Sequence, residues 1–337
     1  MTEDGFGQPA HPALAGLAAA LIVAGGEASG KPLGDLSVHL ARPPAEIAVF
    51  PGRARLIDAC IGALREGRRE LLVQNPVEPR YRLSARRYDL TIRRWAPRPG
   101  PLRYDVSDAI RGLVNKAPAL CVISDPHWIL GNCLDTDAVL SLAVAARHGG
   151  HLLLIDRACA LEPGDETDLL LRDDESVVVL GSLSRSLFVP GPSLDYAVGA
   201  PGLVDRLNRW RPAVPSTAAD PSAAETVLRD HLATVVAVRR DLIEGRDWLA
   251  AQVVRPDLRW RALPSRACFL TVDVGDPALA ARLTANLAGD GPPVRGHPTR
   301  VAVASLLQVT AAPVAASARL LALLRAQGST SGERQPR

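Results

Sequence analysis

Three polar residues stand at the ends of apolar runs in the middle of this chain. Asp125 follows Ala119-Leu-Cys-Val-Ile-Ser124, Asp156 follows His151-Leu-Leu-Leu-Ile155, and Ser182 follows Ser176-Val-Val-Val-Leu180-Gly181. Runs of this length and composition read as buried parallel strands, whose carboxyl ends share one edge of a sheet, the edge where such folds bind ligands. His127 and Trp128 follow Asp125 by two and three residues, and can either stack on a planar ligand or plug a cavity. Cys159 follows Asp156 by three. No histidine lies beside it in sequence, so a small buried hydrophobe is the better reading than a nucleophile. Arg53 and Arg55 open a helix, where positive charge opposes the helix dipole. A bound anion or nearby acids would relieve that; a solvated arginine face is the plainer alternative. There are only two lysines, Lys31 and Lys116, so 37 of the 39 basic residues are arginines. Amine chemistry therefore has very few places to come from.

Those residues need a scaffold. The 337 residues suggest about two domains. With 47% hydrophobic and 22% charged residues, disorder is excluded as the dominant state. A net charge of +3 and the lack of a basic stripe argue against nucleic acid. The five cysteines form no CxxC, so neither a disulfide framework nor a metal site is signalled. The start carries no basic n-region, and Pro12–Ala24 is too short to span a membrane, so a cytoplasmic protein without a membrane partner is expected.

Further strands are expected at 47–50, 88–95, 194–198, 258–262, 268–274 and 300–304, and 70–74 is a short apolar run. Helices are expected at 12–23, 33–41, 55–65, 81–88, 106–114, 136–148, 202–211, 223–251, 277–287 and 314–325. The fold class is α/β: a mostly parallel sheet covered by helices over residues 44–215, and a smaller α+β domain over 216–326. Residues 1–43 are assigned to an N-terminal arm joining the small domain, and 327–337 to a disordered tail.

The order of elements resembles the class I/II aminotransferases of pyridoxal phosphate (PLP) fold type I, in particular the histidinol-phosphate aminotransferase and threonine-phosphate decarboxylase-like branch. The most specific stretch is Ser182-Leu-Ser-Arg-Ser-Leu-Phe-Val-Pro-Gly-Pro-Ser-Leu-Asp-Tyr196. In the family it reads S-[FL]-[ST]-K-x-x-G-L-A-G-L-R-x-G-Y. Ser182, Ser184, Gly191 and Tyr196 match; the lysine that forms the Schiff base falls on Arg185, and the phosphate arginine on Ser193. A guanidinium stays protonated and cannot replace that amine.

The resemblance also implies roles elsewhere. Asp156 takes the place of the aspartate that pairs with the pyridine nitrogen, while Cys159 stands in the aromatic slot. The Asn of the family loop falls on Trp128. Of the phosphate-cradling turn only Gly52 remains, in Pro51-Gly-Arg-Ala-Arg55. The tyrosine that reaches across the family dimer has no counterpart near residues 25–35. Arg300 matches the arginine that clamps the substrate carboxylate.

These correspondences imply a family member without covalent PLP, binding the cofactor non-covalently at most. Arg185, Arg300 and Asp156 are expected to converge on one cleft, walled by Asp125, His127, Trp128 and Cys159. An alternative reading makes Arg185 a salt-bridge partner of Asp156 that fills the lysine space. Two arginines against one central carboxylate favour an anionic or amino-acid-like ligand, provided Asp125 and Asp195 turn away. The expected assembly is a homodimer. Two other readings stay open: a non-catalytic partner of an active aminotransferase, and an atypical PLP-dependent aminotransferase or decarboxylase.

Overall fold

The computed structural model describes residues 11, 13, 34–98, 102–161, 166–171, 173–186, 194–210, 221–254, 260–287 and 292–329. Most of the helix expected at 12–23, together with Lys31, Ser193 and the tail beyond residue 329, lies outside them. The chain forms two compact units. One comprises Leu17–Trp128 and Cys133–Leu232; the other comprises Met1–Gly16, Ile129–Asn132 and Ala233–Arg337.

The larger unit contains α1 (Gly34–His39), β1 (Ile47–Pro51), α2 (Arg53–Leu64), β2 (Glu70–Gln74), α3 (Pro79–Arg87) and β3 (Thr91–Trp95). It continues with α4 (Val106–Leu113), β4 (Leu120–Ser124), α5 (Thr136–His148), β5 (Leu152–Asp156), α6 (Glu166–Leu170) and β6 (Val177–Ser182). It ends with α7 (Leu183–Ser186), β7 (Leu194–Gly199), α8 (Pro201–Arg209) and α9 (Pro221–Asp230). The seven strands form one sheet in the order β1-β7-β6-β5-β4-β2-β3. From β6 through β5, β4 and β2 to β3 all neighbours are parallel; β7 runs antiparallel to both β6 and β1.

The apolar character of β4, β5 and β6 follows from cover on both faces. Leu120, Val122, Leu152, Leu154, Val178 and Leu180 pack in one core with Leu56, Ile57, Ile61 and Leu64 of α2 and with Leu203 and Leu207 of α8. The intervening Cys121, Ile123, Leu153 and Ile155 are buried as well. A five-residue strand with every position buried reads as a continuous run because neither face meets water. α1 packs against α9 in this unit, so Gly34–His39 lies with the large sheet, whereas His11 belongs to the other unit and contacts Asp241 there.

The other unit holds α10 (Leu232–Val253) from Ala233 onward, β8 (Arg261–Ala262), β9 (Phe269–Asp273), α11 (Pro277–Asn286), β10 (Val294–Gly296), β11 (Leu306–Thr310) and α12 (Val314–Ser329). Its sheet order is β10-β11-β9-β8, antiparallel throughout. The helical stretch expected at 223–251 is two helices, α9 and α10. The strand expected at 300–304 is instead a 3-10 turn at Val301–Val303, with the strand five residues further on. Every residue of β11 is buried, whereas Ala302 is exposed, so the strand with two covered faces took the central place in the sheet. Gly245 of α10 approaches the backbone of Ala312 so closely that an added Cβ would lie 1.8 Å from its carbonyl oxygen.

Candidate functional site

The parallel strands of the large sheet end together, and their ends place the polar residues. Asp156 closes β5, Ser182 closes β6, and Ser124-Asp125 follow in register beside Asp156 on β4. The Ser124 amide donates to Gln74 Oε1 at the end of β2 (2.7 Å), and the Asp125 amide donates to the Asp156 carbonyl (2.9 Å).

Asp156 is the centre of a closed cluster. Its Oδ2 accepts from Arg53 Nη2 and from the Tyr81 hydroxyl (2.8 Å), and its Oδ1 accepts from the Ala158 amide (3.0 Å). Arg53 is 4% exposed and Asp156 5%. Gly52, with φ of 99°, turns the chain sharply between β1 and α2 and so delivers Arg53 to this position on the first turn of the helix. The sequence reading leaned toward a solvated arginine face here; Arg53 is buried against an acid. Arg185 is not the partner of Asp156. It lies half-buried in α7, and its Nη1 donates to the Ala158 carbonyl (3.0 Å).

The second guanidinium nitrogen of Arg53, Nη1, is buried with no acceptor among the described residues. Burial opposes the charge of Arg53, but Tyr81, Asp195 and Glu78 outweigh it, and its pKa lies above the ordinary arginine value despite the opposing charge of Arg185. Burial raises the Tyr81 phenol well above the tyrosine range, so it acts as a neutral donor. Burial also pushes the Cys60 thiol up to about 12, against the pull of Arg53, which leaves that sulfur unreactive. Asp195, wholly buried at the start of β7, acts electrostatically on Arg53, so it does not stand apart from this cluster. Within this cluster the charges of Arg53 and Arg185 stand beside those of Asp156, Asp195 and Glu78.

Asp125 is tied elsewhere. Its Oδ2 accepts from Arg157 Nη1 (2.9 Å) and its Oδ1 from the Leu134 amide (2.8 Å). Arg157 also grips Asp168 through Nε and Nη2. The Tyr104 hydroxyl donates to the Asn75 carbonyl (2.9 Å), so the 2.9 Å contact to His127 Nε2 must be donated by the histidine. Trp128 is buried with Nε1 donating to the Pro76 carbonyl (2.6 Å), and Cys159 is buried. Ser182 is buried and Ser184 half-buried. Arg300 belongs to the other unit, where its amide bonds the His297 carbonyl (3.0 Å) ahead of the 3-10 turn. Lys116 precedes β4, at the sheet edge opposite Asp125 and Asp156, and is exposed. No group of three potential metal ligands occurs among the described residues. Tyr81 is the member of the Asp156 cluster that sequence reasoning missed; for Arg53 the dipole conflict at the start of α2 pointed to nearby acids as one reading, without naming Asp156.

The chain matches the family described as aminotransferase class I and II over residues 31–314. It belongs to that family. A histidinol-phosphate aminotransferase of Methanopyrus kandleri is 28% identical over 248 residues, which span 72% of this chain and 61% of that relative. The crystal structure of histidinol-phosphate aminotransferase from Sinorhizobium meliloti in complex with pyridoxal 5'-phosphate superposes with a TM-score of 0.76 at 18% identity, covering 96% of this chain and 89% of that one. L-threonine-O-3-phosphate decarboxylase from Porphyromonas gingivalis gives 0.71 at 17%, covering 90% and 89%. These neighbours share fold type I, the mixed α/β architecture with a mostly parallel seven-stranded sheet. The family includes PLP enzymes, and no helix among the described residues is long and apolar enough to cross a membrane.

Proposed function

We propose that this aminotransferase-family chain does not transaminate and binds an anionic or amino-acid-like ligand instead. The observation that carries the second half is the buried Arg53 Nη1, a charged donor without an acceptor among the described residues. Such a group is costly when unmet, and a ligand carboxylate or phosphate oxygen answers it directly. The first half rests on amine supply. Arg185 stands where the family motif has lysine, and Lys116 precedes β4 at the far edge of the sheet from Asp156. The remaining lysine, Lys31, lies outside the described residues. With no amine assigned to the site, no step is routed through a covalently held cofactor.

The family's PLP is the group to test against this site. Asp156, the residue that would meet the pyridine nitrogen, already accepts three hydrogen bonds from the chain, one of them from a cation. That arrangement does not fit PLP. A homodimer in the cytoplasm, serving a biosynthetic step without PLP, completes the reading. The cytoplasmic assignment is supported by five cysteines with no disulfide among them. The alternative, a non-catalytic partner of an active aminotransferase, is favoured by the near-neutral charge of the Asp156 cluster.

Two measurements test the proposal. Protein incubated with PLP, reduced with borohydride and peptide-mapped should carry no saturable adduct at Lys31; a stoichiometric adduct there would refute the first half, and labelling of the exposed Lys116 is a surface reaction. A thermal-shift screen of phosphorylated and carboxylate metabolites should find a stabilising compound whose effect falls in Arg53→Met relative to that variant's own baseline. No stabilisation by any of them would remove the ligand and leave the partner reading.

A further inference from the structure

We propose that Arg53 is an internal substitute for the cofactor ring: it neutralises Asp156 from within the chain and by doing so excludes PLP, even bound non-covalently. The inference rests on the same cluster as the proposed function, but it concerns what keeps the cofactor out and stands or falls without any ligand being found.

A carboxylate offers about four acceptor directions. In Asp156 three are taken, by Arg53 Nη2, the Tyr81 hydroxyl and the Ala158 amide. A protonated pyridine nitrogen would have to use the fourth. It would then sit as a second cation on a carboxylate already paired with a guanidinium, in a place where both members of the pair are almost entirely shielded from water. Like charges so placed repel strongly, because little solvent screens them. A neutral pyridine nitrogen has no proton to give the carboxylate, so it gains nothing there. Arg53 cannot lose its proton to make room, since its pKa is raised and it stays charged at any working pH. Nor is the side chain free to swing out. It is 4% exposed, packed within the buried cluster, and the charges of Asp195 and Glu78 favour the cation there. The thiol of Cys60, one of its neighbours, stays neutral and supplies no second anion.

The substitution changes what the fold needs. An aspartate buried at the end of β5 requires a cation or several donors to remain ionised. In this chain both come from the protein, so the site is complete without a cofactor.

The test is a titration of the purified full chain with PLP alone, followed by absorbance and by the shift in thermal midpoint, on the unmodified protein and on Arg53→Ser. The unmodified protein should show no saturable binding up to millimolar PLP. Arg53→Ser, which frees both the carboxylate and the space, should bind at least tenfold more tightly than the unmodified protein. Asp156→Asn added to Arg53→Ser should remove that gain, which separates the ring contact from incidental phosphate binding. Saturable micromolar binding by the unmodified protein overturns the proposal at once, and needs no variant to fold. Equal affinities in a folded Arg53→Ser overturn it too. If Arg53→Ser does not fold, Arg53→Asn serves in its place, since it also shortens the side chain and removes the charge.

Discussion

Removing one member of the Arg53–Asp156 pair should be far more damaging than removing both. Asp156→Ala leaves a buried guanidinium whose Nη2 has lost its carboxylate, while Nη1 already lacks an acceptor among the described residues. Arg53→Met leaves a buried carboxylate held by Tyr81 and the Ala158 amide alone. Uncompensated buried charges of this kind cost about 3–5 kcal/mol each. Arg53→Met should lie at the lower end, since two neutral donors remain, and Asp156→Ala at the upper. The double variant strands no charge and should lose only about 1–3 kcal/mol, the cost of leaving the Tyr81 hydroxyl without its acceptor, much less than the sum. Since the chain has two compact units, a single denaturation midpoint mixes them. Amide hydrogen exchange at Leu153, Leu154 and Ile155 in β5 reads the right unit. Single losses below about 1 kcal/mol that simply add in the double variant would refute the argument that the pair is a buried unit.

Other expectations follow from the same reasoning. His297 has its pKa lowered to about 4, first by burial and then by the charges of Arg295 and Arg300, partly offset by its 2.6 Å bond to Gln308. The fold therefore favours the neutral ring; that stability is complete above the unfolded value of about 6.5 and is lost as pH falls from there toward 4, by up to about 3 kcal/mol. His297→Gln should flatten the slope of exchange-derived stability for β11 across that window, and an unchanged slope would count against it. Gly245→Ala should destabilise α10 by about 1–3 kcal/mol or more, since its methyl meets the Ala312 carbonyl; a neutral effect in urea unfolding would contradict the close approach. Arg185→Lys should produce no borohydride-reducible PLP adduct by mass spectrometry, because Arg53 still occupies Asp156; a full adduct would show that the lysine alone was missing.

What the sequence revealed and what it hid follow one line. Periodicity and apolar runs report burial, and burial decides strands such as β4 and β5, so the sheet was legible. It was also why the turn at Val301–Val303 misled: three small apolar residues after Arg300 satisfy the same pattern whether they continue as a strand or fold back. The β10 strand escaped because its three residues are all only half-buried. The site was legible only where a residue sits at a strand end. Asp156, Asp125 and Ser182 are such positions, and their place needs no knowledge of partners.

Arg53 differs because its role depends on contacts 103 residues away in sequence. A pairing of that kind leaves no periodic trace, so the helix-dipole conflict could only say that something must answer the charge. The resemblance directed the search to the lysine slot and so proposed Arg185 as the filler of the space beside Asp156. The arginine that does the filling comes from the phosphate turn. In the family that turn presents backbone amides to an anion; here, one residue after Gly52, it sends a cation to the anion that the protein already has. On the proposed reading, Asp156 at the end of β5 takes its partner from the chain itself, which joins the aspartate, Arg185 in the lysine slot of the motif and the closed cluster in one account.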